Sequence, residues 1–527
     1  MSRQYSATGS FSSIIKYGGE SYLSYGGVLC CYRGLSTMTT ADNKLMQQRK
    51  DFWSKQEATI VGMIQTEGYE NMASDDADEI MAYLPDLKGK RVIDLAAGIG
   101  RFTGRLAKEA AQVTAVDVAE SFIKENRSKN QHLRHVSYIC NDVVNLDLPD
   151  GSLDVVFSSW LLKYLNEAEL DRFLPKVLKW LSPGGYFFFR ESCYRSVGTI
   201  HSDENPSIFR RPEDYVSHVL KARDAERSAF TLLRCKNILA YINYKNAANQ
   251  VCFLAKKVSE GEVECLPEPR QHIVCPLGAS LPDDGTRDAL GGESSTKAFC
   301  ARLGLRAGRR VLVVGCGEGE SAEFLVSHYQ VTAHGVDRCH SRVMAAIGRQ
   351  MKLDDNIRQK LHFEGGCLTQ LDRDDDSYDV IYCREALHLL PCKQEVFTKF
   401  YRWLRKGGIL FITEYTSGSS APSTDQATTC THAHTLPACH LETPDALAMK
   451  LREVGFKGVT TKDLSQELTK ILVKEQGDLG ANGSDGNYKT EGLESEGGGG
   501  VVVVLRPRRL GIAVCPSRPA SEERWRD

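Results

Sequence analysis

Val92-Ile93-Asp94-Leu95-Ala96-Ala97-Gly98-Ile99-Gly100 is an apolar run that ends in two glycines one residue apart, and the rest of the chain is read outward from it. Arg91 to Leu95 has the composition of a buried strand, and Phe102 to Ala111 falls at helical spacing. The glycines between them allow a tight turn and let backbone approach a ligand at the carboxyl end of the strand. Downstream, Val113 to Asp117, Ser137 to Asp142 and Leu153 to Ser158 predict three further strands. A helix from Glu167 to Leu181 stops at Pro183-Gly184-Gly185, and Tyr186 to Phe189 predicts a short fifth strand. Upstream, Asp51 to Gln65 and Asp75 to Leu84 predict lead-in helices, the second stopped by Pro85. Strands alternating with helices give a mostly parallel sheet with helices on both faces, an α/β fold of Rossmann type.

The same order of signals returns later. Arg310 to Gly319 is a second strand and glycine turn, Val331 to Asp337 a second β2, Ser377 to Tyr382 a fourth strand, and Trp403 to Glu414 a helix end and fifth strand. A chain of 527 residues is too long for one common-sized core, so duplication gives two tandem domains. The expected boundaries are a disordered extension over 1–40, a catalytic domain over 41–259, a Pro/Gly/Asp-rich linker over 260–293, a second domain over 294–475 and a disordered tail over 476–527. The net charge of −2, without a long basic block, argues against a nucleic-acid binder and favours a small-molecule substrate. Seventeen scattered cysteines with no pair of CxxC knuckles read as reduced thiols, with no metal. Cys430-Thr-His432-Ala-His434 with Cys439-His440 fits no common zinc spacing and reads as an exposed loop. No run of roughly 20 apolar residues predicts membrane insertion, and a cytoplasmic protein is expected.

Asp117 ends the second strand at the spacing where an acid accepts ribose hydroxyls, a feature shared with dinucleotide sites. The acid at Asp94 before Gly98 and Gly100 suits the cationic amino-acid end of S-adenosylmethionine better than a pyrophosphate. Asp142 then offers an acceptor for an adenine amino group and Val143 an apolar wall, with Ser158 at the end of the fourth strand as a further candidate. Taken singly, each acid could be only a cap or turn residue.

Val92 to Ala107, Phe157-Ser-Ser-Trp-Leu-Leu-Lys-Tyr-Leu165, Gly185-Tyr-Phe-Phe-Phe-Arg-Glu-Ser-Cys193, Asn205-Pro-x-x-x-Arg210-x-Pro212, Cys235-Lys236-x-x-x-Ala-Tyr241 and Asn249-Gln-Val-Cys252 together resemble the amino-terminal domain of the phosphoethanolamine N-methyltransferases. The likeness spans Asp51 to Lys257, and the tandem layout is similar to the plant and nematode members, most of all to the nematode enzyme of the first methylation. It implies methylation of phosphoethanolamine to phospho-monomethylethanolamine, toward phosphocholine and phosphatidylcholine. A phosphate calls for cationic, preferably planar donors, which makes Arg190, Arg210, Arg211 and Lys236 candidates, with Tyr194, Tyr215 and Tyr241 as hydroxyl donors. The Tyr/His pair of single-domain relatives is not carried over: the His register falls on Tyr164, and Phe52-Trp53 stand where the Tyr would lie. Tyr164 or water is then the proton acceptor, and Trp53, Trp160 and Tyr164 could favour the developing ammonium.

The second half keeps Gly315-Cys-Gly317 and Asp337. Its acceptor side departs from the family, reading Gly285-Thr-Arg-Asp-Ala-Leu-Gly291-Gly292 and Arg384-Glu-Ala-Leu-His388, and a weak or inactive domain is expected. Two other readings stay open at this point. One is a methyltransferase for a different small acceptor, and the other is a non-catalytic cofactor-binding scaffold for a partner methyltransferase. A pathway partner for later methylations is expected if only one methyl is added here.

Overall fold

The computed structural model describes residues 14–17, 20–25, 28–32, 40–64, 71–194, 205–259, 262, 292–417, 440–464 and 498–505. The chain forms two units, Met1–Leu266 and Pro267–Asp527. Most of the linker and the loop from Cys430 to Cys439 lie outside the described residues.

The first unit begins with an antiparallel meander, β1 (Ile14–Tyr17), β2 (Glu20–Tyr25) and β3 (Val28–Tyr32). This corrects the expectation of a wholly disordered extension. The runs carry Ile, Val, Leu and Tyr and are separated by Gly18-Gly19 and Gly26-Gly27, the residue pairs that two-residue hairpin connections favour. Next come α1 (Thr40–Ser54), α2 (Ile60–Ile64) and α3 (Ala73–Tyr83), so the first lead-in helix is two pieces.

The main sheet contains β4 (Arg91–Leu95), β5 (Gln112–Asp117), β6 (Val136–Cys140), β7 (Leu153–Ser159), β8 (Leu181–Ser192), β9 (Ala229–Asn237) and β10 (Gln250–Val258). Their spatial order is β9-β10-β8-β7-β4-β5-β6, with β4 to β8 parallel and β10 antiparallel between β8 and β9. Strand order reverses between β4 and β7, and the carboxyl ends of those strands open the crevice where ligands of such sheets bind. The helices are α4 (Thr103–Glu109), α5 (Glu120–Asn130), α6 (Glu167–Trp180), α7 (Pro212–Lys221) and α8 (Leu239–Lys245). Alternation along β8 sends Phe188 to one face, stacked on Phe157 at 4.9 Å, and Phe189 to the other, stacked on Phe253 at 4.6 Å. Asn166 starts α6 through a capping box with Glu169.

The second unit repeats the plan with β11 (Arg310–Val314), β12 (Thr332–Asp337), β13 (Leu361–Gly365), β14 (Tyr378–Arg384), β15 (Leu404–Ser417), β16 (Val459–Asp463) and β17 (Gly498–Leu505). The order is β16-β17-β15-β14-β11-β12-β13, and β17 runs antiparallel to both of its neighbours. Part of the expected disordered tail is therefore a strand. Val501 to Val504 are β-branched and extend readily in a sheet.

Candidate active site

The glycine turn does two jobs. Gly98 (φ +55°) backs onto the Met63 side chain, and its N–H donates to Asp117 Oδ2 at 2.8 Å. Gly100 (φ +83°) faces α5 instead, where a Cβ would run into the Asn126 side chain, so the second glycine serves helix packing. Asp117 Oδ1 also accepts from Ala119 N–H at 2.9 Å, which fixes the carboxyl at the strand end. Asp94 Oδ2 accepts from Thr103 Oγ1 at 2.7 Å, and its other oxygen has no hydrogen-bond partner among the described residues. Burial pushes the Asp94 carboxyl up to about 7 and the Asp117 carboxyl up to about 6. A buried acid with a free oxygen and no cation beside it fits the ammonium end of S-adenosylmethionine.

Asp94, Gly98, Asp117, Asp142 and Val143 line one cavity. Ser158 does not: it is fully buried within the sheet, and the next residue, Ser159, reaches the cavity. A strand alternates faces, so an assignment one residue off points the wrong way.

Helix α1 covers the cavity. Arg49 Nη1 donates to both Glu169 oxygens at 2.9 Å and to the Tyr164 carbonyl at 3.2 Å, while Nη2 donates to Asp142 Oδ2 at 3.1 Å. That clasp places Trp53, whose ring meets Tyr164 edge-on at 5.4 Å and Phe122 at 5.9 Å. Trp53, Trp160 and Tyr164 all line the cavity. Burial pushes the Tyr164 hydroxyl well above the ordinary phenol range, which favours its protonated form and weighs against a role as the base.

The cationic phosphate candidates fare differently. Arg190 is sealed from solvent, 2.7 Å from Asp76 Oδ1, with its guanidinium 4.0 Å from the Trp160 ring centroid. Arg210 donates to Glu167 and to the carbonyls of Leu162 and Leu165, holding the turn before α6. Arg211 is exposed and pairs with Asp214 in the first turn of α7. Lys236 pairs with Glu79 of α3 at 2.7 Å. None of these four lines the cavity; acids on α3, α6 and α7 hold them instead. Tyr194 lies off the cavity, its N–H donating to the Arg210 carbonyl, and Tyr215 is fully buried. Tyr241 does line it, with its hydroxyl 3.4 Å from Arg190 and pushed up to about 12 by burial.

Three cavity-lining cations were not among the sequence candidates: Arg49, Arg101 and Lys163. Arg101 follows the glycine turn, pairs with Asp76 at 2.8 Å and lies over Phe102 and Trp160. Only its place directly after Gly100 could have signalled it.

In the second unit the cofactor-type geometry recurs. Gly317 N–H donates to Asp337 Oδ2 at 3.0 Å, and Cys339 N–H to Oδ1 at 2.8 Å. Arg384 is buried against Thr296 and Ser295, and His388 is buried 2.7 Å from Glu414.

Two family models, each described as a methyltransferase domain, match residues 92–185 and 293–461. Phosphoethanolamine N-methyltransferase 3 of Arabidopsis thaliana is 31% identical over 439 residues, covering 81% of this chain and 88% of that protein. Phosphoethanolamine N-methyltransferase 1 of Caenorhabditis elegans is 34% identical over 223 residues, covering 40% and 47%. The fold matches that of Haemonchus contortus phosphoethanolamine N-methyltransferase 1, solved with phosphoethanolamine and S-adenosylhomocysteine, at a TM-score of 0.62 and 20% identity over 89% of this chain and 99% of that one. With both units matched and a plant relative aligned along most of its own length, the chain belongs to the phosphoethanolamine N-methyltransferase family.

Proposed function

We propose that the first unit transfers a methyl group from S-adenosylmethionine to the nitrogen of phosphoethanolamine, yielding phospho-monomethylethanolamine on the way to phosphocholine. The observation that carries this reading is one cavity lined by Asp94, Asp117 and Asp142 on one side and by Trp53, Trp160 and Tyr164 on another. When bound, S-adenosylmethionine supplies an electrophilic methyl carbon attached to a sulfonium.

Asp94 would hold the cofactor's ammonium, Asp117 would accept its ribose hydroxyls, and Asp142, held by Arg49, would accept from its adenine amino group. Leaving water lowers the acceptor amine's proton affinity, and the proton is assigned to solvent rather than to Tyr164, whose hydroxyl burial holds in its protonated form. The neutral amine would be the nucleophile toward that methyl carbon, whose bond to sulfur would break to leave the neutral thioether, and the aromatic faces of Trp53, Trp160 and Tyr164 would favour the ammonium product. The second unit keeps the cofactor turn but holds Arg384 and His388 in buried contacts with its own residues, and it is assigned a structural or regulatory part. Later methylations then fall to a partner methyltransferase. No helix among the described residues is long and apolar enough to cross a membrane, which accords with a small polar substrate.

The experiment is product analysis of the full chain with each of the three phosphobases, beside Asp94→Ala and Asp337→Ala. Methylation of phosphoethanolamine that disappears in Asp94→Ala and persists in Asp337→Ala supports the reading; activity on none of the phosphobases overturns it.

A further inference from the structure

The two units share a turn whose tip differs. After β7, Trp160 has φ +58° and donates its N–H to the Arg190 carbonyl at 2.9 Å; after β14, Glu385 has φ +50° and donates to the Thr413 carbonyl at 2.8 Å. Each is followed by a single 3₁₀ turn, Leu162–Tyr164 in one and Leu387–Leu389 in the other. A buried glutamate on the next strand closes each turn, Glu191 in the first unit and Glu414 in the second. Counting from the positive-φ residue, Lys163 stands where His388 stands.

The side chains at that place are held differently. His388 is tied to its glutamate at 2.7 Å. Glu191 spends its oxygens on backbone: Oε1 accepts from Leu161 and Leu162 N–H at 3.0 and 2.7 Å, and Oε2 from Lys163 N–H at 3.3 Å. The Lys163 ammonium therefore has no hydrogen-bond partner among the described residues, although it lines the cavity with Trp160 and Tyr164 beneath it. Every other cation examined around the acceptor side is paired to an acid: Arg49, Arg101, Arg190, Arg210 and Lys236. A phosphate monoester needs a cation with donors to spare.

We infer that Lys163 is the cation that holds the acceptor's phosphate, with Glu191 as the positioning residue that fixes the turn presenting it. Asn205 and Ser207 line the same cavity, and Ile208 N–H donates to the Lys163 carbonyl at 2.6 Å, which ties their segment to the backbone of the turn. Burial pulls the Lys163 amine down, and the nearby Glu191 carboxyl opposes that shift. This inference rests on the proposed acceptor.

The test is steady-state kinetics of the full chain with Lys163→Met, Lys163→Gln and Lys163→Arg, using phosphoethanolamine as substrate and inorganic phosphate as a competing probe. In Lys163→Met and Lys163→Gln, KM for phosphoethanolamine rises roughly ten- to hundredfold, the loss of a hydrogen bond between charged groups. Inhibition by phosphate weakens in step, while S-adenosylmethionine affinity by calorimetry and the melting temperature hold. Lys163→Arg keeps KM near the parent value. An unchanged KM in both neutral variants, or a fall in kcat alone that recovers at high pH, overturns the phosphate role; the second pattern would mark a base. A parent enzyme that fails to methylate phosphoethanolamine refutes the substrate reading instead, so the two failures are distinct.

Discussion

Arg190 Nη1 and Asp76 Oδ1 lie 2.7 Å apart with neither side chain exposed, joining the end of β8 to α3. A cation so placed looks from the sequence like a ligand for phosphate, but its partner is already within the protein. Arg190→Met leaves Asp76 still paired with Arg101 and lowers stability by about 3 kcal/mol, the low end for a broken buried pair. Urea unfolding measures it. The contrasting variant is Arg211→Ala, which breaks an exposed pair: an unchanged urea midpoint and an unaltered KM for phosphoethanolamine are expected.

Asp94 and Asp117 bind their protons more tightly folded than unfolded, because burial raises both carboxyls, to about 7 and about 6. Their contribution to the ligand-free protein is therefore fully present below about pH 4 and is lost as pH rises to about 7. The cofactor pairs with the ionised forms, so its affinity runs the other way. The melting-temperature gain on adding S-adenosylmethionine should be larger at pH 8 than at pH 5.5, and Asp94→Asn should shrink that difference. Equal gains at both pH values would sink the assignment.

Tyr164→Phe removes a hydroxyl that stays protonated and keeps the ring against Trp53. kcat should stay within a few-fold of the parent and its pH profile should not move. Tyr164→Ala removes the edge-to-face pair and should lower kcat. Loss of activity in the Phe variant would return the hydroxyl to the chemistry.

Asp117→Asn and Asp337→Asn change equivalent carboxylates in the two units, each accepting a glycine N–H from its own turn. The first should abolish phosphoethanolamine methylation and the second should leave most of it, as read by product formation in the full chain.

What was legible depended on how far each signal reached along the chain. Strands β4 to β7 are apolar runs, and the acids Asp94 and Asp117 sit at fixed offsets from a glycine turn, so local sequence was enough. The ends of the sheet were harder. Lys256 and Lys257 interrupt β10 and Arg234 and Lys236 interrupt β9, so neither reads as a continuous buried strand. The cations posed a different problem, because charge is visible in sequence and pairing is not. Nothing near Lys236 announces Glu79, which precedes it by more than 150 positions. Lys163 was passed over inside a motif read for its aromatics, and Arg49 lies in a helix whose docking depends on Glu169 and Asp142.

The placement of β10 between β8 and β9 also divides the pocket between two parts of the sheet. β9 pairs with β10 as an antiparallel ribbon in which Asn237 and Val251 face each other across a short connection. That ribbon pairs with β8 through β10 and carries Tyr241, Asn249 and Gln250 to the cavity. Asp94 and Asp117 stand on the parallel strands instead. The half of the pocket assigned to the methyl donor thus rests on the parallel strands, and the half assigned to the acceptor draws on a ribbon at the margin of the sheet, so the two can vary apart.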